Sequence, residues 1–493
     1  MSLLRRLAGE TAVYGFSYIL SRVLHYVLLT WYLTRVFNDD PSQYGIYRDL
    51  YFYVAVLVVI LTFRMETTYF RYARENNAAV TTMSMSFLLT FASVFLIALW
   101  VFRNHIAGFI QYPAMTKHIM LLGIVLFFDV LSSVPFAGLR QQNRPLKFLS
   151  LKLGSILLNI SFVLFFIELL PRLAAGNSFW QQIYTEDKLF YVILANLLAS
   201  ALTFVLLLPL IRKQPLQWDL SFLKRMLKFS WPLVIVGFAG VINQYASIAF
   251  QKNLLGEDLT SNLEEGGKYA AAASLALILS LFTTAYNYAA EPFFFAHRDK
   301  AEARTVYADA ALAYTLIGSV MMLFILAFID LFQLLLGKNF REGLDVVPIL
   351  LVSFLLLGIY YNISIWYKLA DKTLWGAWIA GTGTVITVVL SFILIRKMGV
   401  IGSAWTAFAC YLFMVIAAYV TGQKYYAIPY KLFRMFGWIT IAVLFYIAMA
   451  AIRKYVGEDL AISLAVNSVL VLLYIFLIYR FERSLLKQLA RSR

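Results

Sequence analysis

The sequence predicts an all-α polytopic membrane protein of about 14 transmembrane helices. Of its 493 residues, 62% are apolar and only 14% are charged, whereas about a quarter of a soluble domain is charged. Apolar runs long enough to cross a bilayer recur along the whole chain. They are continuous rather than alternating, which favours helices over a barrel. The predicted spans are 12–37, 44–64, 81–102, 118–138, 148–170, 189–211, 229–251, 268–290, 306–329, 345–367, 374–395, 403–421, 436–455 and 461–480.

The basic residues are distributed unequally between the two sides of this predicted bundle. Loops on the side of both termini carry roughly twice as many Lys and Arg as the opposite loops, and such loops stay in the cytoplasm. We therefore expect both termini in the cytoplasm. The net charge of +16 follows mainly from this bias and favours anionic membrane lipids as partners. The sequence has no clustered nucleic-acid-binding element, and we expect no nucleic-acid partner.

Three motifs recur at similar spacing in the two halves of the chain. They are pairs of residues separated by 222, 225 and 228 positions: Gly45 and Gly267, Glu66 and Glu291, and Arg140 and Lys368. This spacing predicts a six-helix lobe at 1–211, a second at 212–421, and helices thirteen and fourteen with a cytoplasmic tail at 422–493. Because a six-helix repeat is even, the lobes should be related by a pseudo-twofold axis along the membrane normal, with a substrate path between them.

Three segments of the sequence carry a family resemblance: residues 43–47 (QYGIY), 65–71 (METTYFR) and 397–405 (KMGVIGSAW). In the last segment two glycines allow consecutive helices to turn tightly and pack closely. With these motifs the chain resembles the multidrug/oligosaccharidyl-lipid/polysaccharide exporter superfamily, in its polysaccharide-biosynthesis branch of O-antigen-type flippases. One departure is Gln43, where that family more often has an acid.

The resemblance implies a function in lipopolysaccharide or other cell-surface polysaccharide biosynthesis. The expected activity is movement of a polyprenyl-diphosphate-linked oligosaccharide from the cytoplasmic to the periplasmic leaflet of a bacterial inner membrane. A polysaccharide polymerase and glycosyltransferases are the partners implied, and we expect a monomer. Helices thirteen and fourteen are expected to shape a groove for the polyprenyl tail.

The first span carries the strongest candidate for binding an anionic headgroup. Arg22 lies far from both ends of this span, where a charge costs about 2.5–3.5 kcal/mol on insertion scales. Tyr18, His25 and Tyr26 fall on the same helix face. A guanidinium binds phosphate oxygens bidentately, and tyrosines suit sugar rings. The alternative is a structural arginine paired with a neighbouring acid such as Asp129.

Four further residues are candidate substrate contacts in other spans. Arg48 lies close to the predicted periplasmic boundary, where it is equally typical of the interfacial belt. Lys152 is close enough to the cytoplasmic end of its span to reach headgroups instead of cargo. In the second lobe, Asn243 and Asn287 are suited to contact the glycan, although interhelical hydrogen bonds explain them as well.

Three acidic residues are candidates for coupling or gating. Asp129 is predicted to be the one acid deep in a span, which makes it the candidate for H⁺ or Na⁺ coupling. Glu66 and Glu291 end the second and eighth spans, close to Arg64, Arg71 and Arg298. They are expected to form a cytoplasmic gate, or else simple loop-anchoring salt bridges.

The sequence argues against an enzyme. It has no paired carboxylates and no nucleophile motif, its four histidines are scattered, and Cys410 is its only cysteine. No catalytic residue, metal site or cofactor beyond a coupling H⁺ or Na⁺ is therefore expected. Within transport, the alternatives are a peptidoglycan-precursor lipid flippase and a drug/cation antiporter, the latter requiring acids rather than Arg22 in the cavity.

Overall fold

A computed structural model describes residues 30–73, 75–142, 144–212, 216–256, 258–296, 302–370, 372–456 and 459–485. Within these ranges the regular elements are all helices. In chain order they are α1 (Trp31–Val36), α2 (Pro41–Thr62), α3 (Met65–Tyr72), α4 (Asn77–Phe109), α5 (Thr116–Gln141), α6 (Pro145–Leu164), α7 (Leu170–Gly176), α8 (Ser178–Ile183), α9 (Lys188–Arg212), α10 (Leu220–Tyr245), α11 (Ser247–Leu254), α12 (Leu259–Ala296), α13 (Ala303–Ala327), α14 (Ile329–Phe332), α15 (Val347–Ile363), α16 (Ile365–Leu369), α17 (Leu374–Met398), α18 (Val400–Tyr425), α19 (Leu432–Val456) and α20 (Leu460–Phe481). Short 3₁₀ and π segments link some of them.

Thirteen helical segments of the described chain are long and apolar enough to cross a membrane. They correspond to the second to fourteenth predicted spans, and they confirm the predicted all-α polytopic fold class. The first predicted span, 12–37, lies mostly outside the described residues. Several helices extend beyond their apolar runs, because a helix continues into polar residues at either end as long as its backbone hydrogen bonds are satisfied.

The second predicted span ends at a helix break. Phe63 and Arg64 adopt positive φ angles of 48° and 53°, which cost of order 1–3 kcal/mol each in a non-glycine residue. The break separates α2 from α3. The Arg64 guanidinium then lies against Gly237 of α10, where a Cβ would come within 2.2 Å of Nη2. A side chain at position 237 would displace this guanidinium from its present place.

The described chain forms two compact units. The first comprises residues 47–242, and the second comprises residues 30–46 together with 243–485. In the first unit α5 packs on α4 and α9, and in the second unit α15 and α17 pack on α18. The last two helices, α19 and α20, belong to the second unit. The boundaries at 211/212 and 421/422 were drawn from the sequence repeat and stay a prediction.

In the second unit the backbones of Gly45 and Gly267, the glycines related by the predicted repeat, lie close together. A Cβ on Gly267 would lie 2.6 Å from the Pro41 carbonyl oxygen and 3.0 Å from the Gly45 nitrogen. A Cβ on Gly45 would lie 1.9 Å from the Leu263 oxygen. The start of α2 therefore crosses α12 at backbone contact, which small residues permit at helix crossings in membranes.

Helix α19 is held at both ends by buried carboxylates of its neighbours. These are three ion pairs: Lys431 Nζ with Asp309 at 2.5 Å, Arg453 Nη2 with Asp330 at 3.0 Å, and Arg434 with Glu482. The Trp438 indole N–H also donates to Glu482, at 2.8 Å. All three carboxylates are buried, and a buried carboxylate is retained only when it is paired and hydrogen-bonded. The pairs fix α19 against α13, α14 and the end of α20.

Candidate functional site

The predicted site on the first span lies outside the described residues. It comprises Tyr18, Arg22, His25 and Tyr26, so their role in binding cargo stays a prediction. The remaining candidates are all described. They fall into a polar layer in the first unit, two ion pairs at helix ends, and an asparagine group in the second unit.

The polar layer of the first unit is centred on Asp129, near the middle of α5. The neighbouring Leu126 and Val130 are buried, whereas the Asp129 side chain is exposed. Ser200 of α9 donates a hydrogen bond to its carboxylate, and Lys152 of α6 attracts it electrostatically. Because these polar partners come from adjacent helices, Asp129 is not an isolated charge within the first unit, which would be expensive in hydrocarbon.

Neutral polar side chains complete this layer. Asn196 of α9 donates a hydrogen bond to the Tyr51 hydroxyl of α2 at 2.5 Å. The Asp129 carboxylate interacts electrostatically with Tyr51. Two turns beyond Lys152 on the same face of α6, Asn159 is buried, and its Oδ1 accepts no hydrogen bond in the described part of the chain. An unsatisfied buried acceptor is costly, so Asn159 is suited to receive a hydroxyl from a ligand.

Lys152 connects the polar layer to the end of α5. Its Nζ lies 4.2 Å from the centre of the Phe136 ring, and it interacts electrostatically with Glu66 and Arg140 as well as with Asp129. Its side chain is half-buried. Lys152 therefore links the polar layer to the end of α5 electrostatically.

The two gate candidates form equivalent ion pairs, one in each unit. Arg140 Nη1 lies 2.8 Å from Glu66 Oε1, and Lys368 Nζ lies 2.6 Å from Glu291 Oε1. All four side chains are partly exposed. The sequence had associated these acids with Arg64, Arg71 and Arg298; the first two do not pair with Glu66 at ion-pair distance, and Arg298 lies outside the described residues. Two of the three repeated motifs are thus the two halves of one repeated ion pair.

Arg48 is half-buried in α2, next to an acid that the sequence analysis missed. Asp49 lies near the end of its predicted span and is fully buried, and the expectation that Asp129 is the one acid deep in a span stays a prediction. Tyr112 donates to its Oδ2 at 2.8 Å. Burial and the Asp49 carboxylate both raise the pKa of Tyr112 above its ordinary value, which keeps the phenol protonated as a donor. Only tertiary packing covers Asp49, which lies near the predicted end of a span.

The asparagine candidates of the second unit differ in availability. Asn243 is buried: its Nδ2 donates to the Ala380 carbonyl at 3.3 Å, and its Oδ1 accepts from Thr387 at 3.2 Å. Within the second unit, this amide already joins the end of α10 to α17. Asn287 is half-buried in α12, and the adjacent Tyr286 donates to Asn362 at 2.6 Å. Asn287 is therefore the more accessible of the two candidates.

The second unit also contains an apolar groove of about 440 Å³. It runs between α15 and α18 on one side and α19 on the other, at the helix that buried ion pairs hold at both ends. Its lining is almost entirely hydrocarbon and aromatic: Leu326, Pro348, Ile349, Val352, Leu356, Trp405, Phe408, Leu412, Phe436, Ile439, Thr440, Val443, Tyr446 and Ile447. Among the residues described, no group of three or more His, Cys, Asp or Glu side chains could hold a metal ion.

Together these features define an integral multi-pass membrane protein with charged groups inside its helical bundle, and its fold is that of known transporters. It is similar to the structure of the lipid II flippase MurJ in an inward closed conformation, with a TM-score of 0.73 and 12% identity over 95% of this chain and 98% of that one. An outward-facing multidrug resistance MATE family transporter of the MOP superfamily gives a TM-score of 0.62 and 14% identity over 85% and 95%. An inward-facing one gives 0.59 and 14% over 83% and 92%.

Family membership comes from the sequence itself. The model of a family described as polysaccharide biosynthesis protein matches residues 33–345. The chain therefore belongs to this family, which confirms the predicted resemblance. No curated protein sequence matches the chain significantly. At 12–14% identity, the similarity to solved structures establishes the fold and leaves the substrate to be argued from the site.

Proposed function

We propose that the protein flips a polyprenyl-diphosphate-linked oligosaccharide from the cytoplasmic to the periplasmic leaflet by alternating access. The apolar groove along α19 is the observation that carries this proposal. An amphipathic cargo needs a hydrocarbon surface for its tail and a charged, polar path for its head. Family membership and the transporter fold support a carbohydrate-related cargo.

The groove is suited to a long hydrocarbon chain. Its volume of about 440 Å³ falls within the roughly 300–1,000 Å³ typical of ligand pockets. Burying apolar surface in it contributes about 25 cal/mol per Å². Because Lys431 and Arg453 hold the two ends of α19 to Asp309 and Asp330, the groove does not need to form anew when a tail enters.

The headgroup would be bound by cations and polar groups of the first lobe. Arg22, with Tyr18, His25 and Tyr26 on its face, is our candidate for the diphosphate, joined by Arg48 and Lys152. Guanidinium groups bind phosphate oxygens in pairs, and an ammonium acts as a point charge.

The glycan would be bound by neutral polar groups. Asn159 and Asn287 are suited to its hydroxyls. Asn243 is a weaker candidate, because its amide is already hydrogen-bonded on both sides.

The remaining parts of the proposal concern setting and energy supply. We place the protein in the bacterial inner membrane as a monomer, with both termini in the cytoplasm, working with a polymerase and glycosyltransferases of O-antigen or related polysaccharide synthesis. Asp129 is the candidate for H⁺ or Na⁺ coupling. Glu66 and Glu291, in equivalent ion pairs, would adjust the helix ends as the lobes change conformation.

Complementation tests the proposal. In a strain that lacks its polysaccharide flippase, we expect Arg22→Ala to abolish surface polysaccharide through loss of the headgroup contact, and Val352→Trp to do so by filling the groove. Arg172→Ala is the matched control, because that arginine is 78% exposed and its nearest acid, Glu168, is 3.9 Å away. Immunoblots of membrane fractions must give equal amounts of each variant.

Three outcomes would contradict the proposal. Normal surface polysaccharide from both Arg22→Ala and Val352→Trp would show that transport needs neither the headgroup contact nor the tail groove. Rescue of a strain depleted of its lipid II flippase, without rescue of polysaccharide export, would identify the cargo as a peptidoglycan precursor instead. Resistance to cationic drugs with neither rescue would indicate an antiporter.

A further inference from the structure

One exposed face of α10, in the first unit, carries two lysines in a row. The opposite face of this helix buries Phe222 and Met226 in the apolar core of the unit. Because residues four apart lie on one face of a helix, Leu220, Lys224 and Lys228 form a row, and all three are exposed. Their side chains therefore point away from this core.

Exposed apolar side chains continue the row along the helix. Trp231, Ile235 and Phe238 follow at steps of three and four residues and are 53%, 53% and 39% exposed. Large apolar side chains that stay exposed along a membrane span are suited to hydrocarbon. Lys224 and Lys228 directly precede this apolar stretch, at the level expected of the lipid headgroups.

Apolar side chains also lie on the other side of the two lysines. Leu216 and Trp218, in the segment before α10, are 78% and 69% exposed. A hydrogen bond places this segment, since the Gln217 backbone N–H donates to Thr82 Oγ1 of α4 at 3.1 Å. Thr82 lies at the beginning of the apolar run of α4. Trp218 is therefore at the end of an apolar layer, where tryptophan is enriched in membrane proteins.

The ammonium groups of Lys224 and Lys228 are available to an anion. In the part of the chain that the structure describes, neither makes an ion pair or a hydrogen bond. Arg225, between them in sequence, differs in this respect. Its Nη1 lies 3.6 Å from Glu75 Oε2, and its Cζ lies 4.8 Å from the centre of the Phe222 ring. The fold thus pairs the arginine and leaves the two lysines of the row uncompensated.

We propose that this face of α10 is a binding site for an anionic phospholipid. The lipid phosphate would lie between Lys224 and Lys228, whose ammonium groups bind phosphate as flexible point charges. One acyl chain would pack along Trp231 and Ile235. The site uses residues of the first unit alone, and it does not depend on the cargo in the proposed function.

A phospholipid fits this face better than a soluble protein does. The core of a protein–protein interface is depleted in lysine, whereas here two lysines lie at the centre, between Trp218 and Trp231. The exposed apolar side chains also continue into the predicted span as far as Phe238, where a partner in the aqueous phase has no access. A zwitterionic lipid gains less, because its headgroup carries a cation beside the phosphate.

The test uses purified full-length protein in a nonionic detergent and phosphatidylglycerol with a photoactivatable acyl chain. After irradiation and trypsin digestion, we expect the label in the peptide that contains Trp231. Unlabelled phosphatidylglycerol should prevent this labelling at a concentration roughly 25-fold lower than phosphatidylcholine. This preference follows because each of two lysines near an anionic lipid contributes about a factor of five.

A pair of double variants tests the two lysines. Lys224→Gln combined with Lys228→Gln should abolish the preference, so that both lipids compete equally. Arg172→Gln combined with Lys338→Gln is the matched control, because it removes two positive charges from other exposed residues. It should keep the wild-type preference. Size-exclusion profiles establish that each variant is folded.

Three results would overturn the inference. They are equal competition by the two lipids in the wild-type protein, absence of the label from the peptide that contains Trp231, and an unchanged preference in the variant that lacks both lysines. Because neither cargo nor transport enters this assay, its failure is separable from a failure of complementation.

Discussion

The contact between the two repeat-related glycines provides a quantitative prediction. In Gly45→Ala the new Cβ would lie 1.9 Å from the Leu263 carbonyl oxygen, well inside van der Waals contact. The obstacle is backbone and cannot rotate away, so α2 and α12 must separate by roughly 1 Å. Overpacking of this kind costs about 1–3 kcal/mol or more, against a gain of at most about 1 kcal/mol in helix propensity.

The assay is thermal unfolding of the purified protein in detergent, followed by tryptophan fluorescence. At about 2–4 °C per kcal/mol, we expect Gly45→Ala to lower the unfolding temperature by several degrees. Gly240→Ala in α10 is the matched control, since nothing lies within 4 Å of its added Cβ. It should unfold at the wild-type temperature or slightly above. If the two variants unfold alike, the close helix crossing at Gly45 does not contribute to stability as argued.

Two further predictions concern other parts of the molecule. Arg434→Gln leaves the buried Glu482 carboxylate with only the Trp438 N–H as a strong donor, so it should destabilise the protein by about 3–5 kcal/mol. Adding Glu482→Gln should recover most of this loss in the same unfolding assay. A double variant as unstable as Arg434→Gln would argue against the Arg434–Glu482 ion pair as the cause. Asp219, before α10, accepts a hydrogen bond from Ser221 that lowers its pKa below the usual value. A lowered pKa stabilises the fold above the ordinary carboxyl pKa, and this contribution is lost as the pH falls through the folded-state value. Asp219→Ala should therefore reduce stability at neutral pH and match wild type in acid, and a deficit independent of pH would contradict this.

Much of the architecture could be predicted from the sequence because hydrocarbon imposes a simple rule. A segment in lipid must satisfy its backbone internally and expose apolar side chains, so spans were readable from composition, and thirteen of them are described as helices. The repeat was readable for a similar reason. Gly45 and Gly267 mark a close helix approach, and Glu66 and Glu291 follow the ends of two apolar spans, all recognisable by residue type.

The ion-pair partners of the acidic residues were harder to predict than the positions of these acids in the chain. The sequence identified Glu66 and Glu291 as paired acids, but Arg140 and Lys368 became their partners only when helices distant in sequence were packed together. Asp49 was missed because its burial depends on Tyr112, from a loop some sixty residues later. The apolar lining of the groove could not be predicted either, since residue type does not distinguish a leucine that faces lipid from one that faces a groove.

By itself the sequence determined that this is a polytopic helical membrane protein with a duplicated plan and charges inside its spans, because the cost of polar groups in hydrocarbon acts on each segment separately. Only the tertiary structure decided which charges neutralise one another and where an apolar cavity is left. Those outcomes depend on distances between helices that are far apart in the chain. Electrostatic attraction and packing operate over those distances, and no local pattern encodes them.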